Sequence, residues 1–219
     1  MINFFRRNKA NINSLRIPNF DWPLSKEDKG VKQWMNLEQT MALSLNFFNA
    51  KPDIPLMRDV DQLRAFYRDQ IVQQNGGLLQ VDTLDVKGYK LVKTIFKIPQ
   101  EPTGISYLSS LTIPFQKFSF VIKIQAPELG TTGIRDSVVV SKFLNQREDS
   151  GGKSGYDGWF RDPYSPEFKG GTLMNKSEEE IHDADFPDHP LSKVRKMIEQ
   201  IQREVEFGSE LEKAKKFNR

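Results

Sequence analysis

Cysteine is absent from this chain, histidine occurs twice, and no apolar run approaches the length of a membrane span. Without cysteine there is no disulfide framework, no thiol nucleophile and no thiolate metal site. A spanning helix needs about 18 or more consecutive apolar residues, so no membrane span is expected. The two histidines, His182 and His189, lie in one late stretch, and no Gly-x-Ser-x-Gly elbow occurs, which leaves nucleophilic catalysis without its usual parts. A phosphate loop ending in Lys-Ser/Thr and a three-glycine dinucleotide loop are also missing. The first residues place Ile2, Phe4 and Phe5 ahead of Arg6 and Arg7, the reverse of a secretory signal. The expected location is therefore cytoplasmic. Phe4, Phe5, Arg6 and Arg7 would also suit a membrane surface, beside the simpler reading of a frayed or locally docked terminus.

What is present is a globular composition. The 219 residues are enough for one sizeable core, and 16 Phe supply large side chains for it or for an interface. Charge is unevenly distributed. From Glu148 to His189 eleven acids face four bases, so this segment carries −7 and the remainder of a +3 chain carries +10. An acidic segment in a basic body suggests docking on that body or on a partner. The bases are dispersed and form no run, so nucleic acid is not an expected partner.

The chain reads as an irregular leader over 1–30, a single α+β domain over 31–207, and a charged, mobile tail over 208–219. Phe20 and Trp22 are the leader's expected anchors. Val31–Phe48 is strand-like, with Met41, Leu43, Leu45 and Phe47 on one face. Asp59–Asn75 predicts a helix capped by Asp59, with Gln62 at the capping-box position and Asn75-Gly76-Gly77 as the stop. Four strands follow at Leu78–Val86, Tyr89–Ile98, Gly104–Pro114 and Phe118–Ala126, joined by short turns and so antiparallel. A second helix opens at Gly130-Thr-Thr-Gly-Ile-Arg-Asp136, with Thr132 as its cap and Asp136 complementing its dipole. A third begins at Pro190, with a seam of Leu191, Val194, Ile198, Ile201 and Val205. The predicted class is α+β: an antiparallel sheet of about five or six strands with helices packed on it.

Between these last two helices, residues 146–189 show no sustained period yet contain Tyr156, Trp159, Phe160, Tyr164, Phe168 and Phe186. So many aromatics argue against a disordered linker, and an irregular stretch of this length is often functional. We expect an ordered insert whose rings Tyr156, Trp159, Phe160, Tyr164 and Phe168 bind another protein, since aromatics dominate interface hot spots.

Three clusters admit chemistry. His182, Asp183, Asp185, Asp188 and His189 combine imidazole and carboxylate, suited to a divalent metal through His182, Asp185 and His189. Their spacing matches no standard metal motif, and a cap at the start of the Pro190 helix accounts for His189 equally well. The Gly130–Arg135 loop resembles an anion cradle, or else a helix start in which Arg135 and Asp136 are structural, with Arg135 pairing a carboxylate. Glu101 and Glu128 each follow a strand and could form an acid–base pair. No cofactor is expected.

The order of elements (strand, capped helix, antiparallel strands with short turns, second helix) resembles the PsbP-like fold shared with the Ran-binding Mog proteins, DcrB-like bacterial proteins and the Eag chaperones of type VI secretion. The likeness covers roughly Val31–Phe207, with 146–189 as an insertion. Gly130-Thr-Thr-Gly-Ile-Arg-Asp136, Asp162-Pro-Tyr-Ser-Pro-Glu-Phe168 and Phe186-Pro-Asp-His-Pro-Leu-Ser192 are similar to strings in uncharacterised bacterial proteins. The resemblance implies a protein-binding role, since members of this fold mostly bind proteins. The function expected is a non-enzymatic protein-binding module such as an immunity protein, adaptor or chaperone in bacterial toxin or secretion biology. A metal-dependent hydrolase built on His182–His189 is the alternative.

Overall fold

The structure is a computed structural model that describes residues 9–55, 57–149 and 155–217. The surface reading of Phe4–Arg7 lies outside those residues. The class is α+β, and its centre is a seven-stranded antiparallel sheet. The strands are β2 (Leu24–Glu27), β3 (Val31–Met35), β4 (Ala42–Phe48), β5 (Gly77–Val86), β6 (Tyr89–Pro99), β7 (Ile105–Pro114) and β8 (Ser119–Pro127), in the order β2-β3-β4-β8-β7-β6-β5. Five short turns build the β2–β4 and β5–β8 meanders, and the antiparallel pairing of β4 with β8 joins them into this order.

The count of seven comes from two local devices. The stretch Val31–Phe48 is not one strand but the β3–β4 hairpin, because the Asn36 side chain accepts the amides of Thr40 and Met41 at 2.8 and 2.7 Å and closes a turn there. The expected irregular leader supplies β2, which turns into β3 where Asp28 accepts the amides of Gly30 and Val31. Leader residues Leu15–Arg16 form a further short strand, β1, paired with β11 (Glu206–Phe207). Phe20 and Trp22 pack against the core with rings 5.9 Å apart.

Helices cover both faces. On one, α1 (Val60–Val72) packs on β5, its N-terminus capped by Asp59, which accepts the Gln62 amide at 3.0 Å. Leu63 and Ile71 meet Leu78, Val81 and Val92 in the smaller apolar cluster. On the other face, α3 (Pro190–Glu204) lies over β7 and β8. Leu191, Val194, Ile198, Ile201 and the following Val205 are fully buried against Leu45, Ile95, Leu111, Ile113 and Ile122. The charged tail is pinned: α4 (Ser209–Glu212) buries Leu211, and Lys216 donates to the Gly88 carbonyl at 2.7 Å. A tail with one apolar anchor and two ordered backbone contacts is held, which its composition alone does not disclose.

The second helix, α2, runs Ile134–Asp149. Thr132 lies one residue ahead of the N-cap position, which Gly133 holds, and its hydroxyl bonds Thr103 at 3.1 Å. Past α2 the insert contributes the short pair β9 (Phe160–Arg161) and β10 (Met174–Asn175) and two 3-10 turns at Lys176–Glu178 and Glu180–His182. It runs along the β5 edge. The Tyr164 hydroxyl oxygen accepts the Val81 amide at 2.8 Å, and Thr172 donates to the carbonyls of Asn75 and Gly76. Gly77 permits this approach, since a Cβ there would collide with the Thr172 carbonyl. The insert thereby covers an exposed row of strand amides that would otherwise invite intermolecular pairing. Among the described residues no helix is long and apolar enough to cross a membrane.

Candidate functional site

The acidic insert is fastened to the chain's own basic residues. Arg68 of α1 forks onto Asp162 at 2.7 and 2.8 Å, and Asp162 also accepts the amides of Tyr164 and Ser165. Arg64 lies over the Tyr164 ring at 3.9 Å and Arg68 over Phe168 at 5.2 Å. Lys97 of β6 meets Glu178 at 2.7 Å, with both side chains buried. Lys142 faces Asp185 at 3.8 Å on the surface. A bidentate Arg–carboxylate bond and a buried ion pair fix geometry more firmly than surface pairs do.

Arg135 is the centre of this fastening and is only 1% exposed. Its guanidinium donates to the carbonyls of Ser177 and Glu179, to Ser192 Oγ at 2.9 Å and to Asp183 Oδ1 at 2.9 Å. Asp183 takes a second guanidinium, Arg195, at 2.9 Å. Burial lowers the Arg135 pKa, and the Asp183 carboxylate opposes that shift. Four of the five N–H donors of the Arg135 fork are thus taken by protein groups, which favours the structural reading of Gly130–Arg135 over the anion cradle.

The rings expected to meet a partner divide by burial. Trp159 is 1% exposed and packs on Phe143 at 5.3 Å, so it belongs to the interior. Tyr164 and Phe168 are half-buried or turned onto Arg64 and Arg68. Tyr156 and Phe160 remain 59% and 53% exposed. The segment's aromatics are therefore spent mainly on holding it in place, and two are left for the surface.

The histidine cluster does not assemble. His189 sits at the N-cap of α3, where its Nδ1 accepts the Leu191 amide at 3.2 Å. Its Nε2 faces Glu128 Oε1 at 3.3 Å and carries the proton between them, so neither nitrogen is open to a metal. Asp185 faces Lys142, and burial and the Arg135 charge lower the His182 pKa. Among the described residues no three His, Asp or Glu side chains are grouped to hold an ion. The hydrolase alternative loses its constellation on this geometry. Glu101 is exposed in the β6–β7 turn and makes no pair with Glu128.

These same contacts frame a cleft of about 500 Å³ on the α3 face, at the end of the sheet where β6 stops and β7 begins. Its floor holds Lys97, Tyr107, Glu128, Asp136 and Glu178; Phe160 and Leu173 stand at its walls. Tyr107 donates to Glu178 at 3.2 Å. Burial, then the Glu178 and Glu128 charges, hold its phenol well above the ordinary value, so it stays a donor. Burial alone would raise Glu128, but bonds from His189 and the amides of Gly133 and Ile105 outweigh it and keep that carboxyl below its usual range. Sequence reasoning missed Lys97, Tyr107 and Glu178. Lys97 carries a readable signal, since it continues the Leu91–Ile95 side of β6 and places a charge on an apolar face.

Large exposed apolar side chains occur on the segments that bear this cleft and at the same end of the sheet. Leu129, Ile134 and Val138 line the approach to α2 and its outer face, Phe160 stands at the mouth, and Leu37 lies in the β3–β4 turn. Ala42 pairs with Gln125, so that turn lies at the same end of the sheet as Leu129. Ile134 and Val138 are one helical turn apart and share a face.

No protein-family model matches the sequence, and no curated protein matches it. Among solved structures the chain is similar to the Saccharomyces cerevisiae Ran-binding protein Mog1p, with a TM-score of 0.45 and 8% identity over 89% of this chain and 90% of that one. It is also similar to a Bacteroides thetaiotaomicron protein (TM-score 0.37, 10% identity, 56% of this chain) and to cyanobacterial PsbP from Synechocystis (TM-score 0.33, 12% identity, 60% of this chain and 77% of that one). The chain spans 41% of the length of the Bacteroides protein. Mog and PsbP proteins thus stand among its structural neighbours.

Proposed function

We propose that this chain is a non-enzymatic protein-binding module, of the adaptor, immunity-protein or chaperone kind, and that it docks its partner at the α2 end of the sheet. One observation carries the reading. Leu129, Ile134, Val138 and Phe160 are all at least two-fifths exposed; Phe160 lines the cleft, and the other three lie on the 128–138 segment that supplies its lining residues Glu128, Gly133, Arg135 and Asp136. Scattered exposed apolar residues need no explanation, but a gathering of them around a concavity marks an interaction site. The charge of the insert does not contribute, because its principal carboxylates already serve Arg68, Lys97, Arg135 and Arg195. The exposed rim of the docking surface therefore rests on apolar side chains and not on the insert's acidic charge.

Photo-crosslinking in cells tests this, with the crosslinker placed at position 138 or, as a control, at position 26 on β2. A protein captured from 138 and not from 26, whose affinity falls about tenfold or more in Val138→Glu at an unchanged melting temperature, supports the reading. Capture without preference for either position, or an affinity that Val138→Glu leaves alone, contradicts it.

A further inference from the structure

One carboxylate lining the cleft has an oxygen, Asp136 Oδ1, that the fold leaves without a hydrogen bond. Asp136 is the third residue of α2, a position from which an acid commonly reaches back to the amide preceding the helix. Here that amide, from Gly133, donates to Glu128 Oε1 at 3.1 Å. Asp136 instead lines the cleft, and its Oδ1 has no hydrogen-bond partner. Burial, then the nearby Glu178, push its carboxyl above the ordinary value even though it stands at a helix N-terminus. Both helix ends at the site are already served, α2 by Glu128 and α3 by His189.

The surrounding charges are matched. Lys97 pairs with Glu178, and Arg135 and Arg195 share Asp183. Three cations, Lys97, Arg135 and Arg195, thus face four carboxylates, Glu128, Asp136, Glu178 and Asp183, while His189 accepts an amide at Nδ1. The carboxylates exceed these cations by one, and Asp136, which the Ser177 side chain and the Lys97 charge reach, still keeps Oδ1 unbonded. In the lining Glu128, Asp136 and Glu178 outnumber Lys97 and Arg135, so the cleft favours a cation over an anion.

We propose that the cleft receives a basic side chain, lysine or arginine, from the partner protein, with its charged end on Asp136 and its aliphatic stem against Phe160 and Leu173. This rests on the protein-binding reading above and adds the chemistry of the partner's anchor. A volume of about 500 Å³ accommodates one long side chain with its hydration. Apolar walls leading to a charged floor suit a residue whose stem is apolar and whose tip is charged. The exposed rim would then contact the apolar residues flanking that anchor.

The test is an NMR titration of the full chain with Nα-acetyl-lysine amide, against Nα-acetyl-norleucine amide as the uncharged match. The expected result is saturable shifts at the amides of Gly133, Arg135, Asp136 and Ser177 with the lysine probe. Binding should be about tenfold or more weaker for norleucine, and equally weakened for lysine in Asp136→Asn. Equal binding of both probes, an absence of shifts at those amides, or undiminished lysine binding by Asp136→Asn overturns the proposal. The lysine–norleucine comparison on the unaltered chain keeps the test decisive if the variant fails to fold. A silent titration beside a protein still captured from position 138 removes only the basic anchor. Lysine binding with no protein captured removes the docking reading, and with it the partner as the source of the cation.

Discussion

Replacing Arg135 with Ala removes the side chain that ties the insert to α2 and α3. Four bonds vanish: to the carbonyls of Ser177 and Glu179, to Ser192 Oγ and to Asp183. Asp183 is not orphaned, because Arg195 stays at 2.9 Å and Ser192 at 3.2 Å. The two carbonyls lose their guanidinium donor. A buried polar group without its partner costs about 1–3 kcal/mol, so the carbonyls together with the lost ion pair place the destabilisation at roughly 3–5 kcal/mol. For a chain of this size, about 2–4 °C per kcal/mol converts that into a fall in melting temperature of roughly 6–20 °C. Differential scanning calorimetry reads it directly. Arg135→Lys should recover less than half of the loss, because an ammonium cannot reproduce a planar fork that serves acceptors on three segments. A fall below about 2 °C in Arg135→Ala, against the per-kcal/mol conversion above, would refute the claim that this residue fastens the insert.

Other consequences can be checked alongside. Ile198→Ala, at a fully buried position of α3, should cost about 2–5 kcal/mol in urea unfolding; an unchanged midpoint would place that seam outside the core. Trp159→Ala should cost about 3–5 kcal/mol, and a variant as stable as the parent would contradict its packing on Phe143. Asp136 has a folded pKa raised above its ordinary value of 3.8, so its ionisation opposes folding as pH rises. Asp136→Asn should therefore match the parent below about pH 3.8 and be the more stable chain at pH 7. A parent that is the more stable at pH 7 would show that the carboxylate is satisfied.

Much of the fold was legible in the sequence because it rests on local chemistry. The Asp59 cap with Gln62, the stop at Asn75, and the alternation in β8 each declare an element within a few residues. The seam Leu191–Val205 declares a buried face in the same way. What escaped depends on partners distant in the chain. Lys97 and Glu178 are separated by 81 residues, and Arg68 and Asp162 by 94. A run of acids and aromatics reads alike whether it serves a partner or its own body; only the fold shows that Trp159 is interior and that Asp162 belongs to Arg68. The β3–β4 turn was hidden for a different reason. Asn36 closes it with side-chain bonds inside a stretch whose apolar alternation continues on the far side. At the histidines, composition suggested a metal, while the backbone places His189 where a helix cap consumes one nitrogen and Glu128 the other.

The central claim, that this chain acts by docking another protein at the α2 end of its sheet, is tested most directly by hydrogen–deuterium exchange on the chain with and without its crosslinked partner. Binding should slow exchange in 128–138 and 159–161 and leave β2 and the 209–216 tail unchanged. Protection confined to β2–β4, or spread evenly over the chain, would contradict it.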